Sequence, residues 1–169
     1  MKQIIVINGS AGVGKDTFCS LAKNYAQVIS ISSVDEIKQI AKWIGWNGLK
    51  DDKSRKFLSD LKMLLTEYNN APAKYIDKNV KQFQNMAAEI LFIHVREPKE
   101  IDIIKKKYNA ITVLVNNKNV KQNRSNAADA NVHHYVYDYY IDNDGTIEEL
   151  KETVRKFITK LRGKSNGVN

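Results

Sequence analysis

The chain has one cysteine among its 169 residues, Cys19, and no apolar run that approaches the roughly 20 residues of a membrane-spanning helix. A single cysteine excludes an internal disulfide and is typical of proteins from a reducing cytoplasm. The first residues, Met1–Gln3, run directly into a short apolar segment and do not resemble a secretory signal peptide. We therefore expect a cytoplasmic protein with no membrane partner, in which Cys19 packs as a small apolar group.

Acidic residues are also in deficit: 19 of them face 27 lysines and arginines, so that the formal net charge is +8. This balance suits a protein that handles polyphosphates, and it would also suit a nucleic-acid binder. The basic residues are scattered, however, and the densest run, Lys105–Lys107, ends a predicted helix, where cations are favoured anyway. We expect small nucleotides as partners, not nucleic acid. Monomer and homodimer both stay open.

A glycine-rich segment, Gly9–Thr17 (GSAGVGKDT), joins a predicted apolar strand to a predicted helix. Strand, glycine-rich turn, lysine and helix follow one another in the order that a phosphate-binding loop requires. Gly9, Gly12 and Gly14 allow successive backbone N–H groups to point inward at an anion. Lys15 supplies a cation for the outer phosphates. The spacing fits a nucleoside triphosphate loop and not the G-x-G-x-x-G turn of dinucleotide sites.

The predicted site for the phosphates of ATP comprises nine consecutive residues: Gly9, Ser10, Ala11, Gly12, Val13, Gly14, Lys15, Asp16 and Thr17. Asp16 stands where Ser or Thr usually follows the lysine, and the hydroxyl comes one place later. Asp16 and Thr17 are the predicted Mg²⁺ ligands, directly or through water, because this ion prefers oxygen. Two alternatives stay open. Asp16 could be a charge that favours the N-terminal end of the helix, or the whole segment could be an ordinary glycine turn.

Predicted strands alternate with predicted helices along the chain, and no internal repeat or linker interrupts them. This pattern predicts one α/β domain over 1–169, a three-layer sandwich with helices on both faces of a five-stranded parallel sheet. The strands are expected at 4–7, 28–31, 89–95, 110–115 and 135–141. A helix capped by Asp51 or Asp52 carries an apolar face that includes Phe57, Leu64 and Tyr68. Ligands of such sheets bind beyond the carboxyl ends of the strands.

Longer stretches resemble the P-loop nucleoside monophosphate kinases, and most closely the bacteriophage-type deoxynucleoside monophosphate kinases. The loop variant GKDT is characteristic of that branch. Three further segments are similar to the acceptor-side region, the strand and arginine segment, and the last strand and helix of the family: SSVDEIKQIAKWIGWNGLKDDKSRKFLSDL at 32–61, FIHVREPKEID at 92–102, and DYYIDNDGTIEELKETV at 138–154. Their order and spacing carry the resemblance.

The resemblance implies ATP- and Mg²⁺-dependent phosphoryl transfer to a nucleoside or deoxynucleoside monophosphate. It implies an acceptor-side helical region at about 32–85 and a lid at about 116–134. The implied catalytic residues are Lys15, Asp35, Arg96 and Arg124. The implied substrate-binding residues are Ser33, Asp35, Lys38, Arg55 and Arg96. Ordinary alternatives are a helix cap for Asp35, a solvated helix face for Arg55 and a plain surface loop for the lid.

The chain departs from the family at one strand end. Where the family carries an aspartate in a D-x-R arrangement, this chain has His94, while Arg96 is kept. The missing acid leaves open a protein that binds nucleotides without transferring phosphate, and fold alone leaves open a kinase for another small acceptor. A nucleic-acid-stimulated ATPase is a third alternative.

Overall fold

The structure, a computed structural model, describes residues 2–120 and 132–165, with side chains as far as residue 163. Its strands are β1 (Gln3–Asn8), β2 (Val28–Ser32), β3 (Ile90–His94), β4 (Ile111–Asn116) and β5 (Tyr139–Asp142). Its helices are α1 (Lys15–Ala22), α2 (Asp35–Trp43), α3 (Asp52–Asn69), α4 (Ala71–Gln84), α5 (Pro98–Tyr108) and α6 (Ile147–Ser165). A 3₁₀ turn spans Val132–His134.

The five strands form one parallel sheet in the order β2-β3-β1-β4-β5, which confirms the predicted α/β architecture. The central strand β1 pairs with β3 on one side and with β4 on the other, so that Ile5 lies between Phe92 and Ile111. The chain crosses over β1 when it passes from β3 to β4. The carboxyl end of β1 is therefore the topological switch point of the sheet, where ligands of such folds bind.

Two compact units make up the chain. The sheet unit consists of Met1–Ser30 and Ala87–Asn169, and the helical unit consists of Ile31–Met86. The single domain over 1–169, with its acceptor-side region at 32–85, stays a prediction.

In the sheet unit, alternate residues of each buried strand face opposite layers. Ile5 and Ile7 of β1 join a fully buried cluster with α1 and α6, in which the ring of Phe18 lies 6.1 Å from that of Phe92 and 5.6 Å from that of Phe157. On the other face of the sheet, α5 packs against β1 and β4. Burial of both faces is why the strands read as continuous apolar runs.

The fifth strand begins four residues later than predicted, at Tyr139 instead of residue 135. The reason is that a side chain, and not the backbone, makes the first hydrogen bonds between this segment and β4. The carboxylate of Asp138 accepts hydrogen bonds from the N–H of Thr112 (2.9 Å) and from its hydroxyl (2.8 Å). The first residue that pairs by backbone register is therefore Tyr139, opposite Val113.

In the helical unit, the ends of α2 and α3 follow from local sequence. Beyond α2, Gly45 adopts φ +104°, and Trp46 N–H donates to Ala41 O at 2.8 Å, a Schellman cap. Asp51 caps α3 by accepting the N–H of Ser54 at 2.7 Å. The buried apolar side chains of this unit include Ile37, Ala41, Ile76, Val80 and Phe83, from α2 and α4.

Candidate functional site

The phosphate-loop segment lies at the switch point, between β1 and α1. Two of its glycines are required by both conformation and space. Gly9 has φ +143°, and a Cβ there would collide with the carbonyl oxygen of Val115. Gly14 has φ +97°, and a Cβ there would collide with the amide of Asn143. Any other residue would strain the backbone at either position; at Gly9 it would also press on the backbone that follows β4, and at Gly14 it would push the Asn143 side chain aside.

The first turn of α1 presents backbone N–H groups at the end of this loop. Gly14 is the N-cap and has no side chain with which to cap them. The first intrahelical bond runs from Phe18 N–H to Gly14 O at 2.8 Å, so the N–H groups of Lys15, Asp16 and Thr17 precede the helical ladder. Such groups, together with the positive end of the helix dipole, favour an anion at this position.

Lys15 is folded over its own loop. Its ammonium donates hydrogen bonds to the carbonyl oxygens of Gly9 (2.6 Å) and Ser10 (2.7 Å). The cation is therefore held at the mouth of the loop, against the carbonyl oxygens of its first two residues. An incoming phosphate would compete with these two carbonyl oxygens for the ammonium.

The loop after β5 braces the phosphate loop. Asn143 donates from Nδ2 to Val13 O at 2.9 Å, and its own N–H donates to Asn116 O at 2.8 Å. One residue later, Asp144 accepts the backbone N–H of Lys118 at 2.7 Å and pairs with its ammonium at 3.1 Å. The hydrogen bonds from Lys118 lower the pKa of Asp144. Three loops are thus joined by direct contacts at one end of the sheet.

A cavity of about 160 Å³ opens beside these loops. Its lining combines polar and apolar surface and comes from the phosphate loop, the segment after β4, the 3₁₀ turn and the end of β5: Ser10, Val13, Asn116, Asn117, Lys118, Val120, His133 and Asp142. A cavity in contact with a phosphate loop, with convergent amide and carboxylate groups, has the character of a small-molecule site.

His94 ends β3 and lies opposite Ile7 in the register of the sheet. Its Nε2 is 2.9 Å from Ser30 Oγ and 3.7 Å from Cys19 Sγ, and its Nδ1 is 3.8 Å from Asp16 Oδ1. The Asp16 side chain is 98% exposed. Burial raises the pKa of the Cys19 thiol to about 12, so the thiol is protonated at neutral pH. Cys19 is a packed group, as expected.

A buried amide, which sequence reasoning missed, lies behind the loop. Asn8 is fully buried at the end of β1. It accepts the Gly9 N–H at 2.8 Å, and it donates to the Tyr137 hydroxyl at 2.7 Å and to Arg96 O at 3.3 Å. The only signal in the sequence was a polar residue that closes an otherwise apolar strand.

The remaining predicted residues fall in three places. In the helical unit, Ser33 is buried, and Asp35 begins α2, accepts the Ser32 N–H at 2.7 Å and lies 4.0 Å from the Lys38 ammonium. Arg55, also in that unit, lies 3.7 Å from Asp52 on the exposed first turn of α3. Arg96 follows β3 in the sheet unit. The predicted lid is described only at 116–120 and 132–134, and Arg124 lies outside the described residues.

No helix in residues 2–120 and 132–165 is long and apolar enough to cross a membrane. The same ranges contain no group of three or more His, Cys, Asp or Glu side chains arranged to hold a metal ion by themselves.

Comparison with known proteins gives a structural likeness only. No family model and no curated protein matches the chain. Among solved structures, TT1252 from Thermus thermophilus is similar with a TM-score of 0.56 and 15% identity, covering 95% of this chain and 98% of that one. A tunicamycin resistance protein of Deinococcus radiodurans has a TM-score of 0.57 and 14% identity, covering 94% of this chain and 96% of that one. Shikimate kinase of Aquifex aeolicus has a TM-score of 0.52 and 13% identity, covering 98% of this chain and 100% of that one. The chain therefore has the α/β fold of the P-loop kinases.

Proposed function

We propose that this protein transfers the γ-phosphoryl group of ATP to a nucleoside or deoxynucleoside monophosphate. The observation that carries the proposal is the phosphate loop at the switch point of the sheet, with two obligatory glycines, an uncapped helix start and a lysine held at its mouth. Phosphoryl transfer asks a protein chiefly to align its substrates and to neutralise charge. For ATP, the phosphoryl donor, the loop would supply both the alignment and the neutralising charge.

On the donor side, the backbone N–H groups of Ser10 to Lys15 would hold the β-phosphate. Lys15 would exchange its bonds with the Gly9 and Ser10 carbonyls for bonds with the γ-phosphate. Thr17 would bond the α-phosphate. The cavity lined by Asn116, Lys118 and Asp142 is contiguous with the loop through Ser10 and Val13, and it would receive the nucleoside of ATP.

The residues present fit a magnesium ion. Asp16 and Thr17 offer a carboxylate and a hydroxyl on the first turn of α1, and the carboxylate is almost wholly exposed. Mg²⁺ usually takes one or two protein oxygens and completes its shell with water and substrate phosphates. When bound, the ion would neutralise charge on the transferring phosphate. Asp16 would hold it, and His94 would lie behind Asp16.

On the acceptor side, the proposal depends on the sequence resemblance. Arg96 directly follows the buried strand β3 and would grip the acceptor phosphate with its guanidinium, which binds phosphate through two nitrogens. Ser33, Asp35, Lys38 and Arg55 of the helical unit would contact the acceptor nucleotide, within a single kinase domain whose acceptor side spans about 32–85. Arg124 would cover the transferring group from the predicted lid.

A panel of acceptors tests this function. Purified protein with Mg²⁺ and γ-labelled ATP would be offered each common NMP and dNMP, and labelled products would be separated and identified. We expect one or two acceptors to give a labelled diphosphate. Labelled products from none of the nucleotides, despite measurable ATP binding, would contradict the proposal.

A second candidate is phosphoryl transfer to a different small acceptor. Two observations favour it: the fold is shared with shikimate kinase, whose named acceptor is not a nucleotide, and His94 replaces the acid of the nucleotide kinases. Fold does not determine the substrate. The same panel should therefore include hydroxylated acids and sugar phosphates. A labelled product from one of these alone would establish the second candidate over the first, and ATP binding without any transfer would indicate a non-catalytic protein.

A further inference from the structure

We propose that Asn8 and Tyr137 form a buried positioning device that holds the phosphate loop, the Arg96 segment and the wall of the adjacent cavity in one fixed alignment. This inference rests on the proposed function, since it concerns how donor and acceptor are brought together. Both residues are buried and would act through the segments that they contact, so both are positioning residues.

The first step is that the orientation of the Asn8 amide is determined by its partners. The Gly9 N–H can only donate, so Oδ1 of Asn8 must accept it. The Arg96 carbonyl can only accept, so Nδ2 must point at it. The second hydrogen of Nδ2 is then directed at the Tyr137 hydroxyl, 2.7 Å away. Every hydrogen-bonding group of this amide except one lone pair is used.

The second step is that Tyr137 relays the constraint. Its hydroxyl accepts from Asn8 and donates to Val132 O at 3.0 Å, while its backbone N–H donates to the Tyr140 hydroxyl at 3.0 Å. The Tyr137 ring packs edge-to-face against the rings of Tyr135 and Tyr140, at 4.9 Å and 5.9 Å. Burial raises the pKa of Tyr137 to about 12, so the hydroxyl keeps the proton that it donates.

The third step is where the network ends. Gly9 is the first residue of the phosphate loop, and Arg96 is the predicted grip on the acceptor phosphate. Val132 immediately precedes His133, which lines the cavity beside the loop. A single buried amide therefore makes contact with two segments assigned to different ligands, and through one hydroxyl it reaches a third segment. Asn8 and Tyr137 are both buried. Burying their polar groups would cost free energy if any of these groups lacked a hydrogen-bond partner.

The consequence is a separation between binding and turnover. Each ligand would still be held by its own segment if the network were broken, but the two reacting groups would lose their mutual alignment. A displacement of about 1 Å at the reacting centre can lower the rate roughly a hundredfold. Loosening the network should therefore lower kcat and leave the KM values for ATP and the acceptor nearly unchanged.

The test is Tyr137→Phe, which deletes one hydroxyl and keeps the ring. The matched control is Tyr135→Phe, which deletes the neighbouring hydroxyl bonded to Asp102 at 2.8 Å on the surface. We expect kcat of Tyr137→Phe to fall about tenfold or more, with both KM values within about twofold of wild type, whereas the control keeps wild-type kinetics. An unchanged kcat, or KM values that rise as kcat falls, would overturn the proposal.

A second measurement needs no catalysis and separates this inference from the proposed function. Amide hydrogen exchange of the ligand-free proteins should show that Tyr137→Phe lowers the protection of the Gly9 N–H and of the segment after β3, while Tyr135→Phe does not. Unaltered protection in Tyr137→Phe would overturn the coupling. If wild-type protein transfers no phosphate to any acceptor, the proposed function fails, and the exchange result alone decides whether the three segments are coupled.

Discussion

The sheet unit and the helical unit use their apolar residues differently. In the sheet unit, Ile5, Ile7, Phe18 and Phe92 are wholly buried between layers. In the helical unit, the 18-residue helix α3, all of which the structure describes, has no wholly buried apolar side chain: Phe57 is half-buried, Leu64 is 59% exposed and Tyr68 is 84% exposed. Trp43 at the end of α2 is 87% exposed.

The difference shows what an apolar pattern can and cannot indicate. A continuous apolar run such as β3 can be stable only where both faces are covered, so the pattern predicts burial as well as structure. A helical pattern shows only which residues share a face. The sequence predicts an apolar face for α3, and two residues of that face, Leu64 and Tyr68, lie mainly in water.

The largest difference between the units is expected in core stability. Phe18→Ala in the sheet unit removes a ring that contacts Phe92 and Phe157, and it should lower the free energy of unfolding by about 3–5 kcal/mol. Leu64→Ala in the helical unit should change it by less than about 0.5 kcal/mol, because the side chain is already mostly in water. Urea unfolding followed by circular dichroism measures both. Equal losses would contradict the contrast.

The next difference concerns two glycines with nearly the same backbone angle. Gly14→Ala should lower phosphoryl transfer by roughly a hundredfold, because the added Cβ displaces Asn143 and with it the apex of the phosphate loop. Gly45 has φ +104°, but among the described residues no atom lies within 4 Å of an added Cβ. Gly45→Ala should therefore cost only about 1 kcal/mol of helix-cap stability and leave transfer intact.

Steady-state kinetics and thermal unfolding of the two alanine variants, measured side by side, check this prediction. Full activity in Gly14→Ala would show that the loop does not need its observed conformation.

The smallest effect is expected at His94, where the sheet unit departs from the nucleotide kinases. His94→Asp should keep or raise transfer, because it places a second carboxylate near Asp16, where Mg²⁺ prefers oxygen ligands. The control His94→Asn removes the imidazole without adding charge. The Mg²⁺ dependence of kcat separates the two. A collapse of transfer in His94→Asp, with the fold retained, would show that the imidazole has a role of its own.

Much of the sheet unit could be predicted from sequence, for physical reasons. A continuous apolar strand predicts a sheet that is covered on both faces. The spacing of Gly9, Gly12 and Gly14 predicts a phosphate loop, and the alternation of strands with helices predicts a parallel sheet. The start of β5 could not be predicted, because Asp138 uses its side chain where the pattern suggests a backbone ladder. The Asn8 network was missed since its partners Arg96 and Tyr137 lie 88 and 129 residues away in sequence.

The predicted site also has one part that short-range sequence patterns indicate and another part that they do not. Local features, such as the loop and the cap at Asp51, follow from a few neighbouring residues. The roles of Ser33, Asp35, Lys38 and Arg55 depend on what the helical unit binds, and short-range pattern does not determine this. Those roles stay predictions, as does the part of Arg124.

The most direct test of the central claim is product formation by Lys15→Met, assayed with Mg·ATP and the best acceptor from the panel. Lys23→Met, at the exposed C-terminal end of the same helix, is the matched control. We predict that Lys15→Met forms product at less than about a thousandth of the wild-type rate, since Lys15 supplies positive charge at the transferring phosphate. Lys23→Met should match wild type. Transfer by Lys15→Met at the wild-type rate would contradict the assignment of this loop to the reaction.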